Sequence, residues 1–94
     1  MGQADELVHK VKDRESFFAF LEALSRDREM AVELEKQSPS TPYGPDAGGW
    51  ENVFIEDYLE AALQWAKDSH WGVNPDSPSW HDMASFLIAG KYYE

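Results

Sequence analysis

Apolar residues return with a helical period from Asp13 onward. Phe17, Phe20, Leu21 and Leu24 stand at i, i+3, i+4 and i+7, the stripe of an amphipathic helix. Asp13 just ahead of the stripe suits an N-cap, and Glu15 in the first turn favours the positive end of the helix dipole. Strong helix formers continue through Met30, Ala31, Glu33, Leu34, Glu35 and Lys36. The pattern predicts helix over 13–36, in one piece or in two, because Ser25-Arg26-Asp27 offers side chains that can break and recap the backbone. The twelve residues from Ser38 to Gly49 then hold three prolines and three glycines, which exclude helix and central strand. A connection of that length exceeds what compact domains commonly use and points to a mobile or functional loop.

The next stretch sets Ile55, Tyr58, Leu59, Ala62, Trp65 and Ala66 on one face, with Glu56, Asp57, Glu60, Gln64, Lys67 and Asp68 on the other. This is the clearest amphipathic helix in the chain. A second loop from Trp71 to Pro78 ends at Ser79, which forms an approximate capping box with Asp82 three residues on. In the helix that follows, Trp80, Met83, Ala84, Phe86, Leu87 and Ile88 cover most of the circumference, so its expected place is the centre of a bundle. Residues 1–12 read as an N-terminal extension, in which Leu7 to Val11 is a candidate short strand. The expected fold is all-α: a single domain over 1–94, a small bundle of three to four helices with a long Pro/Gly loop at 38–49.

Composition narrows the chemistry. The chain has 94 residues, 43% of them hydrophobic and 14% aromatic, enough for one core and too few for two. Without cysteine there is no disulfide, thiol nucleophile or Cys-based metal site. Neither an export signal nor a membrane-spanning apolar run is visible, so the expected setting is the cytoplasm, with no membrane partner. The 18 acidic residues against 8 basic ones give a formal charge of -10, which disfavours nucleic acid as a partner. Residues 48–94 carry 8 acidic and 2 basic groups, a stronger field than the 10 and 6 of residues 1–47.

Candidate chemistry is sparse. His9, His70 and His81 lack the i, i+4 spacing of a helical metal pair, and His81 beside Asp82 reads as a surface residue near a cap. Glu56, Asp57 and Glu60 can be taken for a cation or acid/base cluster, or for a solvated helix face; the second needs no further ligands from another helix. P-loop, dinucleotide and nucleophile-elbow motifs are absent, and no cofactor is expected. Trp65 and Trp80 fall on apolar helix faces and are expected in the core. Trp50, Trp71 and Tyr43 lie in loops, where an aromatic either folds back onto the core edge or anchors a partner.

Trp50-Glu51-Asn52, then Tyr58-Leu59-Glu60-Ala61 with Trp65, then Ser79-Trp80, Ala84 and the terminal Lys91-Tyr92-Tyr93-Glu94 resemble a small bacterial family of domains of unknown function. Phe17, Phe20 and Leu24 extend the likeness to most of the chain, while Phe54 departs from it, standing where the pattern has a small capping residue. The resemblance implies an α-helical fold and a bacterial source, and transfers no activity.

The expected function is therefore non-catalytic: a protein-interaction module, immunity-type or regulatory, that binds a basic protein as a monomer or weak homodimer. The alternatives are a bundle that holds a small apolar ligand and, behind it, a carboxylate-based metal-binding domain or enzyme. The expected partner surface comprises Trp50 as a desolvated anchor with Glu51, Glu56, Asp57 and Glu60 beside it, since residues 50–66 contain no basic group.

Overall fold

A computed structural model of the protein describes residues 3–39, 48–76 and 78–93. Its helices are α1 (Gln3–Leu7), α2 (Arg14–Gln37), α3 (Ile55–Asp68) and α4 (Trp80–Tyr92), with a 3₁₀ turn at Val8–Lys10 after α1. Among the described residues there is no strand, so the fold is an all-α bundle. Of the 38–49 loop, residues 40–47, Tyr43 included, lie outside the described residues.

The caps that set the helix starts are the ones the sequence suggests. The Asp13 carboxylate accepts from the Ser16 N–H at 2.8 Å, and the Ser16 hydroxyl accepts from the Asp13 N–H at 3.0 Å. At α4 the Asp82 N–H donates to Ser79 Oγ at 3.1 Å and the Ser79 N–H donates to Asp82 Oδ2 at 2.9 Å. Each box satisfies two backbone donors that the first helical turn leaves open. At the far end of α3, His70 takes a left-handed φ of 58°. The Trp71 N–H then donates to the Ala66 carbonyl at 2.9 Å, the Schellman closure usually built on glycine.

α2 passes through Ser25-Arg26-Asp27 without a break. The side chains that could have competed for its backbone are otherwise engaged: Arg26 bridges to Glu22 at 2.6 Å, and Asp27 receives the Lys91 ammonium at 2.7 Å. Within the N-terminal extension, Leu7 to Val11 is not a strand: it runs from the last residue of α1 through the 3₁₀ turn. Ala4, Val8 and Val11 are buried at i, i+4 and i+7, a helical spacing that outweighs the short alternation of Leu7, His9 and Val11.

α4 is the element on which α2, α3 and the 3₁₀ turn all pack, while α2 and α3 scarcely touch one another. Small residues bring α3 and α4 together: Ala62 and Ala66 are buried on one, Ala84, Ala89 and Gly90 on the other. A Cβ at Gly90 would lie 2.6 Å from the Tyr58 ring, so that crossing tolerates no larger residue. The larger buried side chains, Phe17, Phe20 and Leu24 of α2 with Trp50, join Ala4, Val8 and Val11 in one core cluster. With extents of 45 × 27 × 18 Å the molecule is about two helices thick in its thinnest direction, which leaves many apolar side chains with one face in water.

Trp80 is one of these. It was expected in the core, but it stands at the first turn of α4 at the end of the bundle and is 42% exposed, one ring face packing on Phe17 at 5.4 Å. Trp65 is half-buried. Trp71 folds back, its indole N–H donating to the Asp82 carbonyl at 2.8 Å. Phe20→Ala should cost about 3–5 kcal/mol and Trp80→Ala about half as much, because only the Phe20 ring is wholly removed from water. Urea unfolding of the two variants measures the difference.

Candidate partner-binding groove

Gly49 turns the chain with a φ of 82° and delivers Trp50 onto the bundle. The following residues strap the end of α4. The Glu51 N–H donates to the Lys91 carbonyl at 2.9 Å, and the Asn52 amide donates to the carbonyls of Gly90 at 3.0 Å and Tyr93 at 2.8 Å. Carbonyls in a last helical turn lack intrahelical partners, and this strap supplies them. Arg28 of α2 holds the next residue, its guanidinium donating to the Val53 carbonyl at 3.4 Å.

Beneath the strap lies a buried cation. Lys91 is 1% exposed, with Nζ 2.7 Å from Asp27 of α2 and 3.5 Å from Asp5 of α1, and 5.4 Å from the centre of the Trp50 ring. Burial by itself pulls the ammonium's pKa down. The hydrogen bonds to Asp27 and Tyr92 and the nearby carboxylates outweigh it and hold the pKa above the ordinary lysine value. Tyr92 also donates to Asp5, and Tyr93 to Asp68, so the terminal tyrosines are tied to α1 and α3.

Trp50, Tyr58 and Leu87 floor a groove of about 470 Å³. One wall is α2, with Leu21, Leu24, Ser25, Arg28 and Glu29; the other is Val53, Phe54 and Ile55, where the strap becomes α3. Phe54 is the N-cap residue of α3 yet gives no side-chain cap bond, and it is 62% exposed; Ile55 is 77% exposed. Leu59 and Leu63, one and two turns on, are exposed as well and prolong the apolar lip along α3.

The predicted site residues divide. Trp50 is 5% exposed, with the Arg28 guanidinium 5.3 Å above its ring and Tyr58 at 6.0 Å; of its two readings, it folds back onto the core and does not stand out as an anchor on the surface. The buried Lys91 and the strap draw it inward, and it serves as floor. Glu51 is half-buried on the strap, while Glu56, Asp57 and Glu60 are exposed on α3. At about 100° per residue, Glu56 and Glu60 flank the Leu59–Leu63 row and Asp57 is turned away from it. The lip itself, Val53, Phe54 and Ile55, went unrecognised in the sequence. Its signal was there: three apolar residues in a row at a helix start where a capping residue belongs.

Among the described residues no three His, Asp or Glu side chains converge to hold a metal ion. His9 and His81 line a separate groove with Trp65 and Ile88. No helix among the described residues is long and apolar enough to cross a membrane.

The arrangement is that of an acidic all-α bundle with an apolar groove between α2 and the start of α3. The chain belongs to DUF7660, a family of unknown function, whose model matches residues 13–94. No curated protein and no solved structure matches it.

Two measurements test the clasp beneath the groove. Lys91→Met should destabilise the fold by about 3–5 kcal/mol, because it leaves the Asp27 and Asp5 carboxylates buried without their cation; adding Asp27→Asn should restore part of the loss in the same denaturation assay. The second concerns alkaline pH. Burial pushes the Tyr58 phenol up to about 12, and its hydroxyl donates to the Leu87 carbonyl at 2.6 Å. A pKa raised on folding stabilises below the unfolded value, 10.0, and that stabilisation is lost as pH climbs toward the folded one. Stability should fall between pH 10 and about 12, and Tyr58→Phe should flatten that limb in thermal melts.

Proposed function

We propose that this protein is a non-catalytic interaction module, immunity-type or regulatory, that binds a basic protein partner in the cytoplasm. The observation that carries this reading is the solvent-exposed lip Val53-Phe54-Ile55 at the mouth of an apolar groove, within a stretch, 50–66, that has four acidic residues and no basic one. An exposed apolar patch with a charged border is the usual mark of a protein-binding surface. The net acidic field of this stretch, beside which Arg28 is a neighbouring cation, speeds encounter with a cation-rich partner and turns acidic competitors away.

The lip also favours a protein over a small apolar ligand. A small molecule is largely enclosed by its site, whereas here the apolar row runs out of the groove along α3 to Leu59 and Leu63. For the carboxylate chemistry, Glu56 and Glu60 project from one helix face into solvent with no third ligand near them among the described residues.

The test is the complex isolated from the native cell. A stoichiometric basic protein is expected, with an association rate that falls as salt rises. Glu56→Lys with Glu60→Lys should slow association by about tenfold and leave the melting temperature nearly unchanged, and Asp57→Lys should slow it less. An acidic partner, or rates indifferent to salt and to the double reversal, would show the acidic face to be merely solvated.

A further inference from the structure

We infer that the occupant of the groove is a basic amphipathic α-helix of another protein, laid between α2 and α3; this rests on the basic-partner reading above. α4 carries α2 on one side and α3 on the other, and α2 and α3 leave a gap between them. A helix in that gap stands opposite α4 and completes a four-helix arrangement over Leu87.

The chemistry of the walls selects a helix over an extended segment. The groove offers few polar groups, and two are engaged: Asn52 donates to Gly90 and Tyr93, and Arg28 to Val53. An extended chain buried there would leave its own N–H and C=O groups without partners, whereas a helix satisfies them internally. The spacing agrees, since Ile55, Leu59 and Leu63 form an i, i+4, i+8 ridge of the kind that packs into the groove of a second helix.

Charge selects whose helix it is. A second copy would bring its own acidic lip against Glu56 and Glu60, and like charges across an interface are costly. A membrane surface of anionic lipid is repelled by a chain of net charge -10. A foreign helix with Lys or Arg beside its apolar stripe places its cations against Glu29, Glu56 and Glu60, all of them exposed. Phe54 supplies the cost that marks the site. Its place at an N-cap forgoes the side-chain bond that Ser, Thr, Asp or Asn would make there, and a phenyl ring left 62% exposed gains little from the fold.

The experiment uses the full chain and three labelled 16-residue probes: a Leu/Lys peptide with leucines on one helical face, the same composition shuffled so that no face forms, and the facial peptide with Glu for Lys. Anisotropy should show the facial Leu/Lys peptide binding at least about tenfold more tightly than either control, with a gain of helical circular dichroism. Ile55→Glu and Leu59→Glu, both at exposed positions that leave the fold intact, should each weaken it about tenfold. Amide shifts should centre on Leu21, Val53 and Ile55. Equal binding of the shuffled peptide, shifts elsewhere, or indifference to Ile55→Glu would overturn the helix while leaving the basic partner standing. Equal binding of the Glu peptide would overturn the charge argument and with it the basic-partner reading. Sedimentation showing a dimer that Ile55→Glu dissolves would assign the groove to a second copy instead.

Discussion

The ammonium of Lys91 is wholly buried, and the arrangement around it organises the molecule. Removing a cation from water costs several kcal/mol even after relaxation, so the fold must bring compensating groups from elsewhere in the chain. Asp27 comes from the middle of α2, Asp5 from α1, and the ring faces of Trp50 and Tyr92 close the remaining sides. Each partner fixes a relation that helix packing alone leaves loose: Asp27 sets where α4 ends along α2, and Asp5 holds the N-terminal helix against both. A buried ion pair of this kind is weak evidence for high stability, since apolar side chains of like volume often serve as well. Its contribution here is register.

The groove follows from the same clasp. α2 is joined to α4 through Asp27 and Lys91; α3 is joined to α4 through Tyr58 lying on Gly90 and through the strap of Glu51 and Asn52. Between α2 and the start of α3 the hydrogen bond from Arg28 to the Val53 carbonyl is the notable link. Two helices held firmly to a third and lightly to one another leave a trough, and its apolar lining is the part of each stripe that α4 does not reach.

The local features were legible because local chemistry decides them. Asp13 before a helical stripe, Ser79 three residues before Asp82, and the period of α2 and α3 all appear in the structure as the sequence suggests. What escaped was decided by distant residues. Trp80 and Trp50 exchange their expected roles, the first half out in water and the second in the core, because a helical period says which face is apolar but not whether a neighbour extends far enough along the axis to cover it. Nothing next to Lys91 in the sequence signals its burial, because its two carboxylate partners, Asp27 and Asp5, belong to segments far away in sequence. Ala4, Val8 and Val11 escape because over so short a stretch the alternation of Leu7, His9 and Val11 competes with their helical spacing.

The residues that carry the family resemblance can be placed in the same terms. Trp50 packs against the side chains of Tyr58 and Lys91, Glu51 and Asn52 hold the last carbonyls of α4, and Tyr92 and Tyr93 tie its end to α1 and α3. Part of that pattern thus describes one packing unit, the clasp around Lys91 and the end of α4. Fold and function separate here: a shared scaffold says nothing about the surface grafted onto it. Val53, Phe54 and Ile55 stand directly after the strap, positioned by it and needed by none of its bonds except through the Val53 carbonyl, which any side chain leaves in place. The positions that form the lip are therefore free to differ without cost to the clasp, because what they give the strap is a backbone carbonyl and what fills the lip is side chain.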